Sequence, residues 1–269
     1  MNTFFLLRRI IIRWLYQLGK ISNIDASITS ILCYHSISND HNRFAVGLET
    51  FEGQMEKISE HGTFVSLDEI IASREGAYLP SPSVAITIDD GYHDAISILP
   101  ITKRLGIPIA LFVLSDPERA EKKALGSKSR LLSWEEIKYL RKEGWTIGCH
   151  SATHPNFFEA TETALRQEIV NAKQKLEEML GEEVEYFAYP GGRFEDRSIR
   201  FVQEAGFKAG FSIREGCAIH GANQWIIPRT IIDKTHMISE FPAVYSPTTF
   251  FLRKWTDPLR LWNIFLKFK

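Results

Sequence analysis

The stretch Ile86-Thr87-Ile88-Asp89-Asp90-Gly91-Tyr92 places two carboxylates side by side at the end of an apolar run. Adjacent anions repel, so the pair needs a reason that a Ser or Asn would not serve. Further along, His150-Ser151-Ala152-Thr153-His154 spaces two imidazoles at i and i+4, and one helical turn would bring both to one side. Two imidazoles and one carboxylate commonly hold zinc with coordination positions left open. Neighbouring side chains at a strand end diverge, so one aspartate can bind a cation while the other faces the water it activates. The cation also offsets the repulsion between the carboxylates. Each half has a plainer alternative: an Asp-Asp-Gly turn that caps the next helix, and a histidine pair on a surface helix. Their joint presence after strand-like runs favours a site.

The elements that must position these residues alternate along the chain. Strands are expected at 28–35, in Thr63-Phe64-Val65-Ser66-Leu67, and at 83–89, 108–114, 145–149, 184–190, 208–213 and 230–233. The run Val84, Ala85, Ile86 and Ile88 is nearly unbroken, as in parallel strands covered on both faces. Helices are expected over 49–61, where Phe51, Met55 and Ile58 keep helical spacing before Gly62, from Asp68, and over 93–105 before Gly106. Another opens on the capping box Ser133–Glu136 and ends near Gly144. A long amphipathic helix carries Leu165, Ile169, Ala172, Leu176 and Met179 up to Gly181, and residues 116–130 form a charged loop. About seven β-then-α units without repeats argue for one α/β domain with a parallel sheet, a barrel rather than an open doubly wound sheet. No G-x-G-x-x-G or P-loop sequence supports a nucleotide site.

In such folds chemistry sits at the carboxyl ends of strands. The reactive residues fall there: Asp89-Asp90 after 83–89, His150 after 145–149, His35 after 28–34, and Tyr189-Pro190-Gly191-Gly192 after 184–189.

At 269 residues, 44% hydrophobic and 24% charged, the chain has an ordinary globular composition. Its net charge of −1 is unevenly spread: residues 1–22 and 250–269 each carry +4, leaving −9 between them. An acidic body with two basic ends does not suit nucleic acid, which calls for a basic stripe across the fold. Three cysteines, Cys33, Cys149 and Cys217, without C-x-x-C spacing argue against a disulfide framework. Residues 1–25 read as a basic amphipathic helix, 26–240 as the catalytic domain, and 241–269 as a basic aromatic tail. The arginines at 8, 9 and 13 break the N-terminal apolar run well short of the ~20 residues a membrane span needs. No small-residue cleavage site marks a signal peptide. Cations interleaved with Trp and Phe suit the headgroup region of an anionic membrane, so peripheral attachment, provisionally at the cytoplasmic face, is expected of both ends.

The motifs "ITIDDGY", "IGCHSATHP" and "FAYPGG", in this order, resemble the polysaccharide deacetylase (NodB-homology, carbohydrate esterase) family. The family pattern reads T-F-D-D-G, then H-[ST]-x-x-H, then a third motif at a later strand end. Segments such as "YHSIS", "LSWEEIKYLRKEGWTIG" and "EAGFKAGFSIREG" extend the resemblance over about residues 28–235. It implies a distorted (β/α) barrel of about seven units, the fold reached independently above. It also implies that Asp90, His150 and His154 bind a divalent metal, usually zinc. Asp89 would be the general base toward the attacking water, and a backbone N–H near Gly191 would help hold the oxyanion.

Two departures stand out. The Arg of the commoner third motif R-x-P-[YF] is replaced by Ala188, and "YPGG" resembles the Y-P-x-G branch. Arg229 in "IIPRT" is the first candidate to orient the base, Arg193 the second. No Leu-x-His motif near the C-terminus supplies a general acid, so His35 is the proposed acid and His236 its alternative. Cys149 reads as a packing residue. Trp134, Phe157 and Phe158 read as core or rim aromatics, and His41, His61, His93, Asp94 and His220 are given no role.

The function expected is metal-dependent removal of N-acetyl groups from an amino-sugar glycan or a lipid-linked saccharide. The alternatives are a small-molecule amide or imide hydrolase of the same fold, with a closed pocket in place of a groove, and a glycan-binding protein whose catalysis has lapsed.

Overall fold

Eight parallel strands curl into one sheet: Thr29–Tyr34 (β1), Thr63–Phe64 (β2), Ser83–Ile88 (β3), Ile109–Val113 (β4), Thr146–Cys149 (β5), Tyr186–Ala188 (β6), Ala209–Phe211 (β7) and Thr230–Ile231 (β8). They belong to a computed structural model that describes residues 29–80, 82–120, 129–214 and 223–246, with the single positions 10, 11, 14 and 216. The expected N-terminal helix over 1–25 apart from positions 10, 11 and 14, most of the tail over 241–269, Cys217 and His220 lie outside the described residues.

The order across the sheet is β7-β6-β5-β4-β3-β1-β8, and β2 pairs with β3 off that path. An open sheet would leave β7 and β1 as edges. Instead, residues 227–231 span the gap: Ile227 bridges Phe211 of β7, and Thr230 and Ile231 pair with Leu32 and Cys33 of β1. Gly210 permits this seam, because a Cβ there would lie 2.4 Å from the Trp225 carbonyl oxygen. The result is the distorted (β/α) barrel expected, closed by one irregular stave.

Strand alternation sorts the side chains into two layers. Leu32, Ile86, Ile88, Leu111, Val113, Ile147 and Phe187 face outward into the main core beneath the helices. Ile31, Ala85, Ala110, Phe112, Tyr186, Ala188 and Phe211 form a second cluster, the barrel interior. Cys33, Thr87 and Asp89 continue the interior alternation of Ile31 and Ala85. The helices that cover the sheet are Leu48–Ser59 (α1), Leu67–Arg74 (α2), Leu99–Leu105 (α3), Trp134–Lys142 (α4), Glu162–Arg166 (α5), Ala172–Leu180 (α6), Asp196–Glu204 (α7) and Phe241–Tyr245 (α8). Leu67, Ile70 and Ile71 of α2 pack on the interior cluster, where Asp68 accepts a hydrogen bond from the Tyr186 hydroxyl.

Several expectations are refined. The helix over 93–105 opens as a 3-10 turn, His93–Ile98, because Pro100 lacks an N–H and is accommodated only in the first α-turn of α3. The long amphipathic helix is interrupted by a π turn, Gln167–Asn171, between α5 and α6. The capping box at Ser133 and Glu136 is present, and a second one, Ser66 with Glu69, opens α2. Phe241, Val244 and Tyr245 of α8 are buried, and Ser30 Oγ donates to the Tyr245 carbonyl at 2.9 Å. These contacts join α8 to the rest of the described body.

Candidate active site

Asp89 is the last residue to pair along β3, its N–H donating to the Tyr34 carbonyl at 2.9 Å. Asp90 and Gly91 then both adopt left-handed backbone, each with φ near 72°. Asp tolerates that conformation better than most residues. The two carboxylates diverge because Asp89 still follows the strand alternation into the barrel, while the left-handed turn re-aims Asp90. Asp89 points into the barrel toward Arg229, and Asp90 points toward the histidines.

The His150–His154 segment corrects the sequence reading. It is not a helical turn: Ser151 and His154 are left-handed, with φ of 71° and 60°, and the chain folds back through a loop. The imidazoles still meet, with ring centroids 5.0 Å apart. Asp90 Oδ1 lies 3.4 Å from His150 Nε2 and 3.5 Å from His154 Nε2. A tetrahedral ion with bonds of about 2.0–2.1 Å sets neighbouring donors about 3.3 Å apart, so these separations fit one. Asp90 Oδ1 is also buried without a hydrogen-bond partner, as a ligand atom would be. His150 Nδ1 bonds the Ala188 carbonyl at 2.8 Å, which leaves Nε2 to face the cluster. Ala188, the position where the commoner pattern has Arg, thus contributes its backbone.

Charge at the cluster suits a cation. Burial opposes ionisation of Asp90, but the imidazoles of His150, His35 and His154 hold its pKa below the ordinary value. Burial alone would lower His150, yet Asp89 and Asp90 draw it above the usual imidazole range. Burial and the neighbouring His150 push His154 down to about 4, leaving it a neutral donor at pH 7.

Arg229 is fully buried, and its fork grips Asp89 at both oxygens, Nη1 to Oδ1 at 2.7 Å and Nη2 to Oδ2 at 2.6 Å. Nη1 also donates to Thr87 Oγ1 at 3.1 Å and Nε to the Ser212 carbonyl at 3.2 Å, while the guanidinium lies 5.2 Å from the Phe112 ring centre. Burial would raise the pKa of Asp89, but the guanidinium, with His150 next, holds it well below the carboxylate range. The Cys33 thiol, kept protonated by burial, donates to Asp89 Oδ2 at 3.3 Å. A carboxylate offers about two lone-pair positions on each oxygen; Arg229 and Cys33 fill both on Oδ2, so the acceptor direction that remains on Asp89 is on Oδ1. Oδ2 lies 3.9 Å from His150 Nε2, on the side of the metal-type cluster.

Of the remaining candidates, His35 reaches this centre. A ligand nitrogen of its ring lies within 4.8 Å of Cys33 Sγ and an Asp89 oxygen, the ring stacks on Phe44, and Nδ1 is buried without a hydrogen bond. His236 instead bonds Asp233 Oδ1 at 3.0 Å and closes the 233–236 turn, whose carbonyl at His236 accepts from Gln54 at 2.7 Å. Arg193 is exposed and lines, with Arg119, Thr153, His154, Glu168 and Gly191, a cleft of about 690 Å³. Gly191 lies in the short turn after β6 with φ of 57°. Cys149 packs in the outer core as expected, and Asp94 accepts from Ser36 Oγ and the Ile37 N–H. Sequence reasoning passed over Thr87, Phe112, the Cys33 thiol and Glu168. The first three share the interior alternation with Asp89, which was the available signal.

The Asp233 turn gives a test of its own. Burial opposes its charge, but His236 and Thr235 hold its pKa well below the usual range. A depressed folded pKa stabilises above the unfolded value and is lost as pH falls through the folded one. Asp233→Asn is therefore expected to cost about 1–3 kcal/mol at pH 7. In urea unfolding, that difference should shrink as pH drops below about 4. A difference independent of pH would contradict the assignment.

A parallel barrel with a His-His-Asp cluster and an Arg-clamped aspartate at its strand ends defines a hydrolase-type site with a candidate metal centre. The sequence model described as polysaccharide deacetylase matches residues 77–210, a span that holds Asp89, Asp90, His150 and His154. A poly-beta-1,6-N-acetyl-D-glucosamine N-deacetylase of Staphylococcus aureus is 24% identical over 219 residues, covering 76% of this chain and 73% of that protein. Among solved structures, the Streptococcus pyogenes deacetylase PplD, in complex with acetate, superposes with a TM-score of 0.71 at 23% identity, covering 82% of this chain and 99% of that one. IcaB from Ammonifex degensii gives a TM-score of 0.72 at 23% identity, covering 82% and 97%. Those two likenesses speak to the fold. The chain belongs to the polysaccharide deacetylase family, hydrolases acting on C–N bonds.

Proposed function

We propose that this chain is a metal-dependent N-deacetylase that releases acetate from N-acetylated amino sugars of a glycan. One observation carries the reading: three ligand-type atoms of Asp90, His150 and His154 converge beside a buried aspartate that Arg229 holds ionised. The three residues would hold a divalent ion, zinc being the expected one for two imidazoles and a carboxylate. When bound, such an ion acidifies water and polarises the acetamide carbonyl.

The chain's own residues supply the rest. Asp89 accepts the proton of the attacking water through the acceptor direction left free by Arg229 and Cys33. As the C–N bond breaks, His35 gives a proton to the leaving amine, so that acetate and a free amino sugar depart. The Gly191 N–H helps hold the developing oxyanion. The cleft lined in part by His154 accommodates neighbouring sugar units, which favours a saccharide over a small amide. The name of the Staphylococcus aureus relative points to an N-acetylglucosamine polymer as the first substrate to try. The intact Asp89–Arg229 pair argues against a lapsed binder.

Two experiments test this. Asp90→Ala and His150→Ala should each weaken zinc at least about a hundredfold in a chelator competition, since even indirect partners of a metal ligand cost 10–100-fold. Unchanged affinity in either variant would remove it from the site. Acetate release should be faster from N-acetylglucosamine oligomers than from simple N-acetyl amines, and the reverse order would favour the small-amide reading.

Among the described residues, no helix is long and apolar enough to cross a membrane. The basic, aromatic ends support a peripheral location and a substrate at a lipid surface. Flotation on anionic liposomes should fall when residues 1–22 are removed; equal flotation of both proteins would set that reading aside.

A further inference from the structure

We propose that Glu168 is a positioning residue for the metal site, acting through the loop that carries His154; this rests on the reading of Asp90, His150 and His154 as ligands. His154 reaches Asp90 only because the segment after β5 takes an unusual path, with Ser151 and His154 both left-handed. Non-glycine residues hold such backbone when their surroundings fix it.

The loop is fixed from two sides. Its carbonyls at Ser151 and Ala152 accept from the N–H groups of Ser115 and Asp116, at 3.1 and 2.9 Å. Its donors are gathered by Glu168: Oε2 accepts from the N–H groups of Ala152 at 3.0 Å and Thr153 at 2.8 Å, and Oε1 from Thr153 Oγ1 at 2.7 Å. Ser151 Oγ then accepts from the His154 N–H at 2.9 Å. Every loop amide from 152 to 154 thus has an acceptor, and one carboxylate supplies two of the three.

Glu168 sits in the π turn Gln167–Asn171, where the helix widens. Its neighbour Ile169 is fully buried against the core, while Glu168 is left half-buried facing the loop. A π turn gives up regular helix geometry and recurs where a side chain must be aimed. Here it aims a carboxylate at the back of a ligand loop. Glu168 is not one of the three ligand-type residues; it acts on the metal site through His154.

The test is zinc titration of the metal-free protein against a chromophoric chelator, with thermal unfolding of the same metal-free samples. Glu168→Ala should weaken zinc by about 10–100-fold, and His154→Ala, which removes a ligand, by at least about a hundredfold. Glu168→Gln, which keeps an acceptor for the amides and a group for Thr153 Oγ1, should stay close to wild type. Should Glu168→Ala fail to fold, Glu168→Asp, one methylene too short to reach both amides, takes its place. If Glu168→Ala lowers thermal stability but binds zinc like wild type while His154→Ala weakens it, Glu168 is a brace only and the proposal fails. Equal losses in Glu168→Gln and Glu168→Ala overturn the hydrogen-bond account. Unchanged binding in His154→Ala overturns the underlying metal reading instead.

Discussion

Asp89→Asn is expected to bind metal close to wild type and to lose turnover by on the order of 10²–10⁴-fold, the usual contribution of a positioned general base. Asp89 stands apart from the three ligand atoms, and its carboxylate is turned by the strand-end geometry toward Arg229. Asn preserves the shape and one acceptor for the guanidinium, so the fold and the His150–His154 loop keep their places. It cannot take a proton at neutral pH. Metal stoichiometry and acetate release measured on the same samples separate the two roles. A variant that also lost its metal would show that the division of labour between Asp89 and Asp90 is wrong.

Arg229→Met should be the most destabilising single change in the site, at about 3–5 kcal/mol, because it leaves a buried carboxylate without its partner. Met fills much of the volume beside Phe112 and so removes packing as the main explanation. The loss falls on Asp89, Thr87 Oγ1 and the Ser212 carbonyl, which accept the hydrogen bonds of the guanidinium. With the opposing charge gone, burial raises the pKa of Asp89, and the acidic limb of the activity profile moves to higher pH. Arg229→Lys should not rescue this, since a point charge cannot grip both oxygens. In a cycle with Asp89→Asn, the double variant should be less destabilised than the sum of the two, measured by urea unfolding. Additive losses would mean that the pair does not act as a unit.

The sequence disclosed much of this because parallel barrels write their strands as apolar runs and put polar chemistry just after them. Asp89-Asp90 and His150 could be located by that rule alone. The rule did not extend to loop conformation: a spacing of four reads as a helical turn, yet Ser151 and His154 take left-handed backbone that periodicity cannot register. Arg229 entered through the resemblance, since one arginine before a short strand has no local signature. The Cys33 thiol escaped because its contact with Asp89 depends on the β1–β3 register, which sets Cys33 opposite Thr87. Glu168 escaped because the search followed the apolar face of its helix, and the π turn changes what the other face meets. Phe241, Val244 and Tyr245 share their aromatic and aliphatic character with the segment beyond residue 250, so their burial against the body has no signature in composition.

The most direct measurement of the central claim is acetate release from N-acetylglucosamine oligomers by the wild-type protein, first stripped of metal and then reloaded with zinc. The account predicts no release from the stripped protein and recovery that tracks the binding of one ion per chain. Undiminished release by the stripped protein, or none by protein shown to hold its ion, would contradict it.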